Sequence, residues 1–346
     1  MFNQIRNGSQ LSFLVSSTAN TLLINNSNAV QDNISKKVYP LNWVMVMESL
    51  EKVKAVQRMQ DYIKENLDKK ITLYDLSRKA EYSPYYSARI FKELLNVTQF
   101  EYIRKLRLTE AALSLRNGNI RIIDVAFDFV FNSHEGFTKA FSKEFGITPK
   151  FYRENTPPIK LFLPSNIFDY YSNLKKGAKK MENELKTRTV FVQVIERPAR
   201  KLILKRGISA TEYFKYCEEV GCDIWGILVS IKEALYEPVG MWLPSNLIKE
   251  GTSEYVQGVE VPVDYSGIVP KGFEIIDLNP CKMMIFQGEP YDDENFSDEI
   301  GYVWDAIEKY NPEIYGFKLA PEDGPRFQFE PCGYRGYIEG RCVKEI

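Results

Sequence analysis

A chain of 346 residues, 44% of them apolar, is long enough for two or three domains and apolar enough to bury a core in each. It contains no run of about 18 apolar residues, so no membrane-spanning helix is expected. Its start lacks a basic segment followed by an apolar one and does not read as a secretory signal. Five cysteines, Cys217, Cys222, Cys281, Cys332 and Cys342, form no C-x-x-C pair. An odd count without that spacing suggests neither a disulfide framework nor a zinc knuckle and fits a reducing cytoplasm. The net charge of −1 hides an asymmetry: residues 47–155 carry 19 Lys/Arg against 15 Asp/Glu, and residues 189–346 carry 16 against 27. The basic portion suits a polyanion, and the acidic portion suits something else.

Residues 1–46 are rich in Asn and Ser and show no clear apolar period, so they are expected to form a poorly ordered extension. A helical pattern starts near Met47, with Val53, Val56, Met59, Tyr62, Ile63 and Leu67 at three- and four-residue spacing. Thr72 ahead of Leu73-Tyr74-Asp75 is a helix start with an acid in the first turn. Ser83-Pro84 is another, with Ser as N-cap and Pro at the first helical position. A long amphipathic helix is predicted over 98–117, stopped by Asn117-Gly118. A short helix at 122–129 follows, then one that Ser133 caps and that Gly146 and Pro149 close.

Thr156-Pro157-Pro158 ends the helical region. Residues 156–188, with the run Lys175-Lys176-Gly177-Ala178-Lys179-Lys180, read as a linker that partly packs. From Thr189 the apolar period changes to two, giving strands at 191–195 and 201–205, a helix at 213–235, and strands at 241–243 and 255–263. The order then repeats. Glu196-Arg197-Pro198-Ala199-Arg200 resembles Leu278-Asn279-Pro280-Cys281-Lys282, and a helix at 296–310 carries Trp304 where the first copy has Trp225. Two strand-strand-helix-strand-strand halves would build an α+β domain with a cleft between them.

A helix-turn-helix lays one helix across the DNA backbone and a second in the major groove. Residues 73–80 with 84–95 have that form, and residues 122–129 with 133–145 have it again. The helix between them spans roughly 25 Å at about 1.5 Å per residue, a length that could set both second helices in successive major grooves about 34 Å apart. Two residues in equivalent places on those helices, Arg89 and Lys139, stand 50 positions apart.

Ser83-Pro84-Tyr85-Tyr86-Ser87-Ala88-Arg89-Ile90-Phe91-Lys92, Asp124-Val125-Ala126-Phe127-Asp128 and Phe137-Thr138-Lys139-Ala140-Phe141 resemble the AraC/XylS family of bacterial regulators, as do Phe145-Gly146-Ile147-Thr148-Pro149 and Tyr152-Arg153. The resemblance implies an all-α DNA-binding domain over 47–155 with two helix-turn-helix units. It also implies double-stranded DNA and RNA polymerase as partners. By matching position, Tyr85, Tyr86 and Arg89 face DNA in the first unit, and Ser133, His134, Glu135 and Lys139 in the second. Arg can pair with guanine, Glu can accept from cytosine, and Ser or backbone N–H groups at a helix start suit phosphate. The turn after each first helix usually carries Gly in the family, whereas Glu81 and Val130 stand there. Either these turns close without a left-handed residue, or Phe129-Val130-Phe131 packs an altered turn.

Residues 189–346 resemble the GyrI-like effector-binding domain, an α+β fold of two related halves around a ligand groove. The residues that carry this are Ser266-Gly267-Ile268-Val269-Pro270, Phe273-Glu274-Ile275-Ile276, Cys281-Lys282-Met283-Met284-Ile285-Phe286 and Gly336-Tyr337-Ile338-Glu339. The resemblance implies an acidic residue among aromatics in the pocket. Glu339 is the first candidate, with Glu289 and Glu330 as alternatives. Trp225, Trp242, Tyr255, Phe286, Tyr302, Trp304 and Tyr337 are candidate walls. Such a site favours a small cationic or flat aromatic effector. No cofactor or metal is expected, and enzyme readings fare worse: the one histidine, His134, lies on a DNA-facing helix, and no phosphate loop or dinucleotide fingerprint is present. Hydrolysis by a pocket Glu and a protein-binding role for the acidic domain are the two alternatives.

Overall fold

The computed structural model describes residues 41–118, 120–164, 188–221, 223–292 and 295–346; the expected extension over 1–46 lies almost wholly outside them. The chain divides into compact units Met1–Ser49 and Leu50–Ile346, and the features below belong to the second except for residues 41–49 of the first helix.

Seven helices come first: α1 Leu41–Glu65, α2 Leu73–Ala80, α3 Pro84–Leu95, α4 Gln99–Asn117, α5 Ile122–Asp128, α6 His134–Phe145 and α7 Pro149–Asn155. Local chemistry sets their starts. Thr72 accepts from the Asp75 N–H while the Asp75 carboxylate accepts from the Thr72 N–H, a reciprocal cap. Ser83, Thr98, Ser133 and Thr148 each accept from the N–H three residues on. The helices enclose two apolar cores. Val53, Val56, Met59 and Ile63 of α1 meet Leu76 of α2, Ile90 and Phe91 of α3, and Tyr102, Ile103 and Leu106 of α4. In the second core Leu108, Ala111, Ala112 and Leu115 of α4 meet Val125 of α5, Phe137 and Phe141 of α6, and Tyr152 of α7. The expected linker starts as packed chain: Ile159 and Leu161 are buried in the second core, and Phe162 lies against the first.

Both turns of the helix-turn-helix units are left-handed. Glu81 has φ 60° and Val130 φ 63°, so neither turn avoids the left-handed region. A β-branched residue there holds its Cβ close to the following carbonyl.

Among the described residues the rest is one antiparallel sheet with three α-helices, α8 Tyr213–Val220, α9 Ile224–Val229 and α10 Phe296–Lys309. Its strands are β1 Val190–Arg197, β2 Arg200–Arg206, β3 Val239–Trp242, β4 Tyr255–Val261, β5 Glu274–Leu278, β6 Cys281–Gly288, β7 Phe317–Leu319, β8 Arg326–Phe329 and β9 Ile338–Glu345. The order is β1-β6-β9-β8-β3-β4-β2-β5, with β7 also on β9. Alternate residues feed opposite faces, as the pleat requires. Leu202, Leu204, Met283 and Ile285 share one core. Ile203 faces α8 and α9, and Met284 and Phe286 face α10.

One expectation needs correction. The helix expected over 213–235 is two short ones, because Gly221 takes φ 93° and ends α8. At the two Pro turns β1 pairs with β6 and β2 with β5, so each turn passes its chain between non-neighbouring strands.

The helical and sheet regions touch along 159–162. Gly226 on α9 approaches so closely that a Cβ there would stand 2.1 Å from the Leu161 carbonyl oxygen. The Ile159 N–H donates to Ser230 Oγ at 3.0 Å, and Arg116 of α4 donates to the Val229 carbonyl at 2.5 Å.

Two outcomes follow from these strained and tight positions. Val130→Gly relieves the left-handed penalty and is expected to stabilise the chain by about 1 kcal/mol; no rise in the thermal midpoint would show that the turn tolerates valine. Gly226→Ala forces backbone apart and is expected to cost about 1–3 kcal/mol in chemical denaturation.

Candidate nucleic-acid interface and sensor site

The two second helices present the same design. On α3, Ser87, Ile90 and Phe91 are buried, which turns Tyr85 (79% exposed) and Arg89 outward. On α6, Phe137 and Phe141 are buried, which turns His134, Glu135 and Lys139 outward. Tyr86 differs from its expected place. It is half-buried against the first core, and its ring lies under the Arg89 guanidinium at 4.8 Å. Tyr86 thus forms a platform that restricts where Arg89 can point. Ser133 caps α6, accepting from Gly136 N–H at 3.0 Å. Lys92 and Lys143 extend the exposed stripes by one helical turn. Sequence reading missed both, although their three- and four-residue spacing from Arg89 and Lys139 would have found them.

In the sheet region five expected residues join in one chain of contacts. Trp304 Nε1 donates to Tyr337 Oη at 2.9 Å, and that hydroxyl lies 2.9 Å from both Glu339 Oε2 and Gln328 Oε1. Glu339 is fully buried and carries two arginines: Arg326 Nε and Arg341 Nε each stand 2.8 Å from Oε1. The Arg326 guanidinium lies 4.2 Å over the Trp242 ring, which packs edge-on to Tyr255 at 5.0 Å. Trp242 is held by its own N–H, which donates to the Thr211 carbonyl at 2.8 Å. Burial pushes the Tyr337 phenol far above its usual range, and the Glu339 charge adds to this.

The register explains the convergence. Glu339 on β9 pairs with Gln328 on β8, Gln328 with Gly240 on β3, and Gly240 with Gln257 on β4, so all four lie on one face. Gly240 leaves room for Tyr255, whose hydroxyl would stand 2.3 Å from a Cβ at that position. Gln257 is 1% exposed, and neither of its amide atoms finds a hydrogen-bond partner among the described residues.

The other expected residues lie apart from this chain of contacts. Phe286 is 2% exposed and packs edge-on to Tyr310, so it is core beneath α10. Tyr302 donates to the Arg188 carbonyl at 2.7 Å and, with the exposed Glu289, borders a small cleft that reaches Tyr337. Glu330 is exposed, and Trp225 is half-buried on α9. Sequence reading missed Arg326, Gln328 and Arg341. The alternation Arg326-Phe327-Gln328-Phe329, with every second residue polar, was the available signal.

No helix among the described residues is long and apolar enough to cross a membrane, and no group of three or more His, Cys, Asp or Glu among them could hold a metal.

The model of a helix-turn-helix domain matches residues 76–155. The Tn10 TetD protein of Escherichia coli is 40% identical over 94 residues, 27% of this chain and 68% of that protein. Regulatory protein SoxS of Salmonella typhimurium is 35% identical over 98 residues, 28% of this chain and 92% of that protein. The solved C-terminal domain of AraT, a response regulator from Geobacillus stearothermophilus, has 27% identity and a TM-score of 0.28, covering 29% of this chain and 84% of its own.

Proposed function

The chain belongs to the AraC/XylS family of DNA-binding transcription regulators, and from that premise we propose that α3 and α6 read duplex DNA while the sheet region senses a small flat cation. Residues 47–155 are the reader, and residues 189–346 are a GyrI-like sensor. One observation carries the DNA reading: two N-capped helices, joined by α4, each bury their phenylalanines and turn a cation outward. Arg89 and Lys139 supply the charges. Tyr85, His134 and Glu135 add exposed polar groups, and the free N–H groups near Ser133 suit a phosphate.

The GyrI-like reading draws support from the pairing order. Exchanging β1 with β5, β2 with β6, β3 with β8 and β4 with β9 turns the sheet order into its own reverse, which is the pattern of two related halves. Glu339, Gln328 and Gly240 then fall beside the join between them, at β8–β3. Here the carboxylate is not vacant. Arg326 already lies between the Trp242 face and Glu339, where a flat cation would find both its ring and its counter-charge. Arg326 is therefore an internal stand-in, and the effector displaces it. A ligand that meets Arg326 must offset the loss of that pair, so selection falls on cations with a large aromatic face. Glu289 stands at an exposed position, where it adds negative potential; Glu330 is exposed as a residue, but burial of its carboxyl and the nearby Glu237 charge push that carboxyl up. RNA polymerase is the further partner in transcription.

Ligand binding alters DNA affinity only if it distinguishes two conformations. The contacts of 159–162 with α4 on one side and α9 on the other give a route, since Thr109 Oγ1 of α4 accepts from Phe162 N–H at 2.9 Å and Ser230 accepts from Ile159.

For the DNA reading, salt titration of the full chain on duplex is expected to weaken binding steeply through counterion release. Arg89→Ala is expected to cost about 1–3 kcal/mol at one base position, whereas Lys139→Ala weakens all sequences alike. Site selection with both variants decides it: unchanged affinity and profile in the two would remove α3 and α6 from the interface.

For the sensor, calorimetry with N-methylacridinium is the measurement. Arg326→Gln vacates the place and is expected to tighten binding by about tenfold, equivalent to about 1.4 kcal/mol. Glu339→Gln is expected to abolish it while DNA binding persists. Equal affinity in all three proteins would overturn the placement at Glu339.

A further inference from the structure

Two cysteines that neither reading uses meet in the sheet core. Cys281 opens β6, and Cys342 on β9 pairs with Met283, so the two thiols lie diagonally on the same face. Both belong to the core shared by β2, β6, β8 and β9. A Cβ placed on Gly324 would stand 2.9 Å from the Cys342 sulfur and 3.7 Å from that of Cys281, which puts both sulfurs at one point. The two thiols are therefore neighbours in the core. Arg200, itself 2% exposed, brings Nη2 to 3.8 Å from that sulfur. Its guanidinium is fixed there by the Pro198 and Asn279 carbonyls at 3.1 and 3.2 Å and by Glu260 at 2.9 Å.

The two sulfurs are not equivalent. Cys281 is half-buried and Cys342 buried, so an oxidant from solvent reaches Cys281 first. The hydrogen bond from Cys342 holds the Cys281 thiol well below its usual range against the opposing effect of burial, with Arg200 and Arg197 adding to the shift. That same bond, burial and the neighbouring negative charge push the Cys342 thiol up. The shifts run in opposite directions, which favours the anionic form at Cys281 and the protonated form at Cys342.

We propose that Cys281 and Cys342 form a peroxide-reactive dithiol site, with Cys281 as the attacking sulfur and Cys342 as the resolving one. The Cys281 thiolate attacks one oxygen of hydrogen peroxide. An S–O bond forms, the O–O bond breaks, and the second oxygen leaves as hydroxide, leaving Cys281 as sulfenic acid. The Cys342 sulfur then attacks the Cys281 sulfur. An S–S bond forms, the S–O bond breaks, and the leaving hydroxide takes the Cys342 proton as water. The hydroxide of the first step takes up the proton that Cys281 released on ionising, so in sum two thiols and one peroxide give one disulfide and two waters, with sulfur oxidised and oxygen reduced by two electrons.

The geometry gives the disulfide a structural consequence. Diagonal partners on neighbouring strands lie about 7–8 Å apart at Cα, and disulfides span about 4.4–6.8 Å. Closing the bond therefore draws β6 and β9 together locally, and it removes the anionic sulfur from beside Arg200.

The test exposes the full, unmodified chain to excess hydrogen peroxide at neutral pH, blocks remaining thiols and maps tryptic peptides by mass spectrometry. The expected product is a peptide pair joined through Cys281 and Cys342. Cys342→Ser is expected to stop at a sulfenic acid on Cys281, trapped by dimedone, and Cys281→Ser to leave Cys342 reduced. Cys217 and Cys332 are half-buried like Cys281 and serve as internal references. In the unmodified protein, iodoacetamide is expected to label Cys281 at least about tenfold faster than either, through its larger thiolate fraction. Labelling of Cys281 no faster than Cys217 or Cys332, or peroxide linkage of Cys281 to another cysteine, would overturn the proposal without any variant having to fold.

Discussion

Helix α4 is the constraint on which the helical region depends. A surface helix buries one stripe, but α4 gives its first half to one core and its second half to another. Tyr102, Ile103 and Leu106 face α1, α2 and α3, whereas Leu108, Ala111, Ala112 and Leu115 face α5, α6 and α7. A single rigid rod, about 28 Å long at about 1.5 Å per residue, then fixes the separation and relative turn of the two units. Small residues make this possible. Ala111 and Ala112 let neighbouring helices approach on more than one side, and Arg107 reaches out to the Leu67 and Lys69 carbonyls to hold the exit of α1. Neither unit has a complete core without its half of α4, so the two are bound in one geometry.

The same helix is the place where the sheet region bears on the reader. Thr109 holds the segment 159–162 through Phe162, and Arg116 donates directly to α9. The Lys160–Asp223 ion pair lies at the edge of this contact and is exposed, so screening leaves it little weight. Apolar burial and backbone fit carry the contact instead. Ile159 and Leu161 are buried, and the Leu161 carbonyl rests against Gly226 where no side chain fits. A backbone-to-backbone fit of this kind does not deform gradually, because atoms in van der Waals contact have no slack to give. Any movement of α9 must pass to α4 or break the contact.

The helical region was legible in the sequence because its signals are local. Caps at Thr72, Ser83 and Ser133 and the stop at Gly146 lie within four residues of what they satisfy, and the structure places each as read, while Thr98, read as the first residue of its helix, is that helix's cap. Of the two ways offered for the turns at Glu81 and Val130, closure without a left-handed residue is not the one adopted. The backbone takes φ near 60° at both, since the Val130 and Phe131 N–H groups must reach the Phe127 and Ala126 carbonyls. The sheet was legible only in part. Period-two alternation found most strands, but it is blind to pairing, so β1 on β6 and β2 on β5 were not to be seen. The candidate site suffered most from this. Glu339 could be marked as a polar residue on a terminal strand, but its partners Arg326 and Gln328 come from β8, which the apolar pattern barely marks over four residues.

Buried charge is the cost that the sheet region carries in two places. Glu260 sits between Arg197 and Arg200, and Glu339 between Arg326 and Arg341, each carboxylate nearly or fully buried. Removing such groups from water costs several kcal/mol per ion, and mutual attraction repays it only where geometry and hydrogen bonding are good. Apolar residues of equal volume would serve stability as well or better. What the ionic clusters add is position. Arg200 joins the two Pro turns through their carbonyls, and Glu339 fixes the guanidinium over Trp242, so each cluster ties strands that are distant in sequence to one register. The two clusters differ in one respect. Arg200 is 2% exposed and lies beside the Glu260 carboxylate and the Pro198 and Asn279 carbonyls, while the Arg326 side chain is 34% exposed. A charge pair closed to solvent can only hold; one whose cation reaches solvent can exchange that cation for another. The physical difference between the two ionic clusters of this sheet is therefore the access of a single guanidinium to water.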